Sequence, residues 1–293
     1  MAFHWQRTAT LAEDGLLLRD VLRGKMGISR RLLHTLKFQG QITINGVPAT
    51  VRARVKAGDV IALHLEETAE LRVVPERLPL SIVYEDQDLL VVEKPAGMIV
   101  HPIPPEPSGT LANAIAWHWR QCGFAGPVRV ITRLDRDTTG LVLVAKNALV
   151  QYQYTQGGAR LQKRYLALVH GRPDMEQGVI DVPIAVNPDN PVTRKADAGG
   201  KPAQTAWRVR KRFDQYTLVE AELLTGRTHQ IRVHLAWIGH PLLGDRQYGG
   251  EQRLIDRQAL HCHSLRLQHC RSGELWAWRS PLPADMASLC AEI

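Results

Sequence analysis

The stretch RLDRDTTGLVLVAK, Arg133 to Lys146, crowds Arg133, Asp135, Arg136 and Asp137 into its first five positions and then runs almost purely apolar to Lys146. A continuous run such as LVLVA reads as a strand buried on both faces. A carboxylate at the entrance of such a strand is fixed at its base instead of floating on a free loop. A solvated turn before a buried strand has the same local pattern, so the rest of the chain decides between the two.

Outward from this stretch, SIVYED, DLLVVEK, RYLALVH, YTLVEAELL, ALHCHSLRLQ and ELWAWRS read as strands. LANAIAWHWR and THQIRVHLAWIG read as helices, the second closed by Gly239. Strands clustered with interspersed helices predict an α+β fold. Pro75 and Pro79, in a stretch without periodicity, mark a linker over residues 69–80 between an N-terminal module, residues 1–68, and a body, residues 81–293. In the module, Ser29 is placed to cap a helix over Arg30 to Gln39, and Gly40 to follow it as the C′ residue. Helical spacing sets Leu32, Leu33 and Leu36 on one face and Arg30, Arg31, His34 and Lys37 on the other. QITI, Asn45-Gly46 and VPA predict a hairpin, and DVIALHL a further strand.

At 293 residues and 44% hydrophobic content the chain can build substantial cores. It holds no run of about 20 apolar residues for a bilayer span, and its opening is too polar for a secretory signal. Four cysteines and the absence of any Asn-x-Ser/Thr site fit free thiols in a reducing cytoplasm. Lys and Arg total 37 against 29 Asp and Glu, a net charge of +8, and residues 1–68 hold ten of these cations against six anions. Half of the excess therefore sits in the N-terminal module, which suits a polyanionic partner.

The basic helix beginning SRR, the hairpin G-x-I-x-I-N-G and the strand K-x-G-D-x-I, within residues 12–65, resemble the S4 RNA-binding domain. DLLVVEKPAGMIVHP, ITRLDRDTTGLVLVAKN, KRYLALVHG and TGRTHQIRVHLAWIGHPLLGDRQYGG follow in the order and spacing of RluA-type pseudouridine synthases. Together they make residues 12–285 resemble an S4-bearing member of that family. The resemblance implies a mixed, largely antiparallel sheet around a cleft, preceded by a small S4-like α/β domain, and an isomerase that needs no cofactor and no nucleotide. It implies an RNA substrate, ribosomal RNA of the large subunit being favoured over tRNA, and no membrane partner; a monomer is the default expectation.

Residue by residue, the resemblance matches Asp135 to the catalytic aspartate, acting as nucleophile or base. Arg227 matches the arginine that ion-pairs with it. Tyr165 matches the tyrosine that packs on the target uracil and is a candidate for taking the C5 proton. Arg133 matches the arginine that enters the RNA stack where the uridine flips out. Lys163 is a phosphate-contact candidate, Arg30, Arg31, His34 and Lys37 form the expected RNA face of the module, and Asp137 is expected to be structural. Many family members have His before R-L-D where this chain has Thr132, so an imidazole contact is missing there.

Competing readings fail on particular residues. VVEK, ending at Lys94, has no Gly-rich loop before it and no D-F-G after it, which removes kinase chemistry. Asp135 and Asp137 stand too close along one loop to flank a glycosidic bond. His261, Cys262, His263, His269 and Cys270 resemble a metal set, yet alternate strand positions face apart, so no metal site is expected. Trp276 and Trp278 are expected to pack the sheet. A non-catalytic RNA-binding assembly protein remains as an alternative to the enzyme.

Overall fold

The computed structural model describes residues 2–25, 27–66, 73–103, 107–124, 126–155 and 159–291, with the backbone alone at 2, 3, 25, 31 and 66. The linker expected over 69–80 begins within 67–72, outside the described residues.

The N-terminal elements are β1 (Ala2–Thr8), α1 (Leu18–Asp20), α2 (Arg30–Gln39), β2 (Gly40–Ile44), β3 (Val47–Pro48) and β4 (Val60–Glu66). Their sheet has the order β1-β4-β2-β3. The Ser29 hydroxyl accepts the Leu32 N–H at 2.9 Å, which caps α2 as its sequence predicts. Leu32 and Leu36 are buried beside Trp5, Leu18, Leu22, Ile42, Ile61 and Leu63, while Arg30, His34 and Lys37 are exposed. Asn45 and Gly46 both have positive φ, and pairs Thr43–Pro48 and Ile44–Val47 close the predicted hairpin.

Gly40 is not the left-handed C′ residue its position suggests. Its φ of −124° and ψ of −165° are extended, and it opens β2 directly. Glycine is required for proximity instead: a Cβ there would sit 2.6 Å from the His64 carbonyl oxygen of β4. β1 has no counterpart among the predicted strands. AFHWQRT pairs along its whole length with β4, from Ala2–Glu66 to Thr8–Val60.

The remaining elements are β5 (Ser81–Glu85), β6 (Leu89–Lys94), α3 (Leu111–Gln121), β7 (Arg129–Val130), β8 (Thr139–Ala145), α4 (Ala148–Thr155), β9 (Leu161–His170), β10 (Gln177–Asp181), β11 (Ile184–Val186), β12 (Arg194–Ala196), β13 (Gln204–Arg212), β14 (Tyr216–Leu223), α5 (Gln230–Trp237), β15 (Leu260–Gln268), β16 (Leu275–Arg279) and α6 (Ala284–Ala291). A ten-stranded sheet follows the path β10-β13-β14-β9-β15-β8-β6-β5, with β16 beside β15 and β7 beside β8. Pairing is antiparallel across β10, β13, β14, β9 and β15, and parallel where β15 meets β8. The fold is therefore the α+β, largely antiparallel one expected. No helix among the described residues is long and apolar enough to cross a membrane.

Contacts group the chain into two units. One comprises Met1–Val91, His101–Thr132 and Leu143–Arg160; the other comprises Val92–Val100, Arg133–Val142 and Leu161–Ile293. In the first, α3 starts with the Thr110–Asn113 capping box and Trp119 is fully buried. In the second, α6 seats Met286 and Leu289 against Leu168, Phe213 and Tyr216, and the Tyr216 hydroxyl donates to the Leu289 carbonyl at 2.9 Å.

Candidate active site

Every residue of β8 is buried, as LVLVA predicts, and the motif ahead of it is explained by how it docks on β15. Gly140 has φ +109°, and a Cβ there would fall 2.3 Å from the Cys262 carbonyl oxygen. Only glycine allows that approach. Thr139 Oγ1 lies 2.9 Å from His261 Nδ1, and Thr138 Oγ1 accepts from the Gln258 amide. Thr132 is buried, and its hydroxyl accepts the Leu143 N–H at 2.8 Å. That hydroxyl is thus consumed by the backbone, which fits the absence of an RNA contact at this position.

The backbone of the Asp135 loop is held at three successive carbonyls. The Asp135 carbonyl accepts the Thr138 N–H at 3.1 Å. The Arg136 carbonyl accepts Lys94 Nζ at 2.6 Å, and the Asp137 carbonyl accepts Arg257 Nη1 at 3.0 Å. Lys94 is completely buried and also donates to the carbonyls of Pro95 and Met98, so its ammonium ties the KPAG turn to the catalytic loop. Burial pulls its pKa down to about 7, against the pull of Asp137 and Asp135. Asp137 accepts the Gly97 N–H at 3.2 Å, which is a structural use of its carboxylate.

The Asp135 carboxylate is met by Arg232, not Arg227. Arg232 Nη1 reaches Asp135 Oδ2 at 3.2 Å. The same guanidinium forms a bidentate pair with buried Asp245, at 2.7 and 2.8 Å, donates to Gln247 Oε1 at 2.7 Å, and lies 4.9 Å over the Tyr248 ring. Burial pulls Arg232 down, but Asp245 and Asp135 outweigh it and the guanidinium is held firmly charged. Arg227 is exposed, its Nε donates to the Pro202 carbonyl at 3.0 Å, and its backbone N–H meets Gln230 Oε1. The physical reason is where α5 begins: Arg227 precedes the helix, whereas Arg232 lies in its buried first turn. An arginine between Ile231 and Val233 at a helix N-terminus, where the dipole disfavours a cation, was the available signal that a carboxylate must lie opposite. Asp245, set behind LLG, is the matching one.

His229 completes this corner. It adopts φ +57°, a left-handed conformation that costs a non-glycine residue about 1–3 kcal/mol. This places Nε2 3.9 Å from Asp135 Oδ2 and Nδ1 2.8 Å from the Tyr248 hydroxyl, which in turn accepts the Arg194 N–H. Burial lowers the imidazole pKa, with Arg232 acting the same way against Asp135, so His229 is mainly neutral at pH 7.

Tyr165 stands on β9 opposite Cys262. Burial, then the Cys262 and Asp135 charges, push its phenol well above 10, and burial lifts the Cys262 thiol to about 12. Both groups are therefore protonated at neutral pH. Lys163, two residues away on the same face, has its ammonium pKa lowered by burial. Arg133 is exposed and makes no hydrogen bond or ion pair among the described residues. Arg30, His34 and Lys37 lie exposed along α2; the Arg31 side chain lies outside the described residues. In β15, His263 is the extra residue of a bulge, and Trp276 and Trp278 meet edge to face at 6.1 Å in β16.

An acid fixed by a buried arginine beside a protonated tyrosine, in a largely antiparallel α+β sheet, matches known proteins. Residues 88–237 match the RNA pseudouridylate synthase family, and residues 6–61 match the N-terminal domain of RluD ribosomal pseudouridine synthases. The chain belongs to the RNA pseudouridylate synthase family and is an isomerase. It is 40% identical over 270 residues to an uncharacterized RNA pseudouridine synthase of Bacillus subtilis, covering 91% of this chain and 95% of that one. It is 41% identical over 281 residues to the ribosomal large subunit pseudouridine synthase D of Pasteurella multocida, covering 89% and 86%. Among solved structures, human RNA pseudouridylate synthase domain containing 1 superposes with a TM-score of 0.58 at 29% identity, covering 70% of this chain and 84% of that one.

Proposed function

We propose that this enzyme isomerises uridines of large-subunit ribosomal RNA, as a cytoplasmic monomer. The observation that carries the reading is the Asp135–Arg232 pair at 3.2 Å, with Asp245 holding Arg232 from behind. Pseudouridine formation breaks the C1′–N1 bond of uridine, turns the base, forms C1′–C5, removes the C5 proton and returns a proton to N1. No electrons enter or leave. Asp135 acts at the ribose or base as the carboxylate that opens the bond. Arg232 keeps it oriented and, being buried and paired, spends no energy reorganising during the reaction.

Tyr165 packs on the uracil. Because its phenol is protonated, it takes the C5 proton only as its own proton moves on, and it otherwise acts as a donor. Arg133 has a free guanidinium to stack in the space left by the flipped uridine, offsetting part of the few kcal/mol that extrusion costs. Lys163 contacts a phosphate. Residues 1–68 serve as the S4-like module and present Arg30, Arg31, His34 and Lys37 to folded RNA; 69–80 is a linker and 81–293 the catalytic body. The similarity to ribosomal large subunit synthases and the basic helix support ribosomal RNA over tRNA. Incubation of unmodified large-subunit rRNA and of tRNA with the enzyme, followed by pseudouridine mapping, tests the choice: modification confined to tRNA, or to neither, contradicts it.

A further inference from the structure

Strand neighbours alternate faces, so Arg164 and Leu166 point away from the face on which Tyr165 and Lys163 stand. On that second face Arg164, Arg208, Arg210 and Arg279, with His263 and Ser264, surround Glu220 in a cavity of about 380 Å3. A neighbouring cavity of about 390 Å3 shares Arg164, Arg208 and Glu220 and extends over Gln177 and Val179.

Two features distinguish this patch from an ordinary solvated sheet face. The first is surplus charge. Glu220 accepts Arg208 at 2.7 Å, and Glu222 accepts Arg164 at 2.9 Å. Arg210 comes only within 3.7 Å of the already paired Glu220, and Arg279 makes no hydrogen bond or ion pair among the described residues. Two guanidiniums thus remain uncompensated around a carboxylate whose side chain is only 8% exposed and which lies beneath them. The second is backbone geometry. The register of β13 skips Arg210 between Val209 and Lys211, and that of β15 skips His263 between Cys262 and Ser264. Each strand carries a bulge, and both bulges deliver their extra residue to the same Glu220 oxygen, at 3.7 Å. Bulges re-aim side chains at sites of function. His263 Nε2 is moreover buried without a hydrogen-bond partner, a group that a ligand oxygen would satisfy.

We propose that this face is a second RNA subsite, in which Arg210 and Arg279, templated by Glu220, bind a phosphodiester of the substrate away from the isomerised uridine. The inference rests on the RNA-modifying reading above and adds an affinity surface to it. The test measures binding of an unmodified large-subunit rRNA transcript against salt for the full chain, the Arg210→Gln/Arg279→Gln double variant and the control Arg253→Gln, alongside tritium release from C5-labelled RNA. The double variant is expected to bind more weakly, with a log–log salt slope shallower by about two, about one per lost phosphate contact, and with kcat unchanged. Arg279→Lys is expected to keep most of the slope. A slope equal to that of wild type, with the fold intact by circular dichroism, would overturn the proposal and leave an internal ion-pair network. Protection of the wild type alone by inorganic phosphate, with the RNA slope unchanged, would also overturn it, in favour of a free anion. A shallower slope in a protein that releases no tritium would instead sink the uridine-isomerase reading and leave the subsite standing.

Discussion

At the scale of residues, the site turns on one guanidinium serving two carboxylates. Arg232 is shared between Asp245, which is buried, and Asp135, which is partly open to solvent. Removing Arg232 orphans Asp245, and breaking a buried pair costs about 3–5 kcal/mol. Arg232→Met should therefore lower both stability and turnover. Arg232→Met/Asp245→Leu should recover stability without recovering turnover, read by urea denaturation beside single-turnover kinetics; recovery of both would remove Arg232 from the site. Arg227→Gln should stay within a few-fold of wild type, because Arg227 touches only a carbonyl at the surface. Tyr165→Phe keeps the ring and loses the hydroxyl, so RNA binding should persist while turnover falls by roughly 10²–10⁴, the usual worth of a positioned acid or base. Unchanged turnover would make Tyr165 packing alone.

At the scale of elements, much was legible because burial writes a plain pattern. Continuous apolar runs became β6 and β8, and Ser29 and Asn45-Gly46 placed α2 and its hairpin. What was not legible depends on partners distant in sequence. β1 is polar at most positions and is a strand because β4 offers an open edge. Gly40 looks like a helix stop and is in fact a contact point with β4; Gly40→Ala should destabilise by about 1–3 kcal/mol through that clash, measured by thermal unfolding. Lys94 reads as an ordinary strand end, but its three carbonyl partners make it the clamp on the catalytic loop. Its folded pKa, about 7, lies below the value near 10.4 of a free lysine, so between those pH values the unfolded chain binds more protons. Stability relative to Lys94→Met should accordingly rise with pH across that window and level off below about 7. Denaturation midpoints at pH 6.5 and 9.5 measure it, and a flat difference would mean that Lys94 keeps its proton throughout.

At the scale of the whole molecule, catalysis and affinity draw on different residues. The reacting atoms need Asp135, Arg232 and Tyr165, whereas the net charge of +8 and the exposed Arg30 and Lys37 of α2 supply attraction for a polyanion. Arg30→Glu/Lys37→Glu should weaken rRNA binding and flatten its salt dependence while leaving single-turnover rates at saturating RNA unchanged; a rate loss at saturation would give α2 a part in the chemistry. The most direct test of the central claim is tritium release from C5-labelled large-subunit rRNA that lacks pseudouridine, comparing wild type with Asp135→Asn. Release by the wild type and none by the variant, with equal RNA binding, is the predicted result. Comparable release by both proteins would contradict the assignment of Asp135 as the catalytic carboxylate.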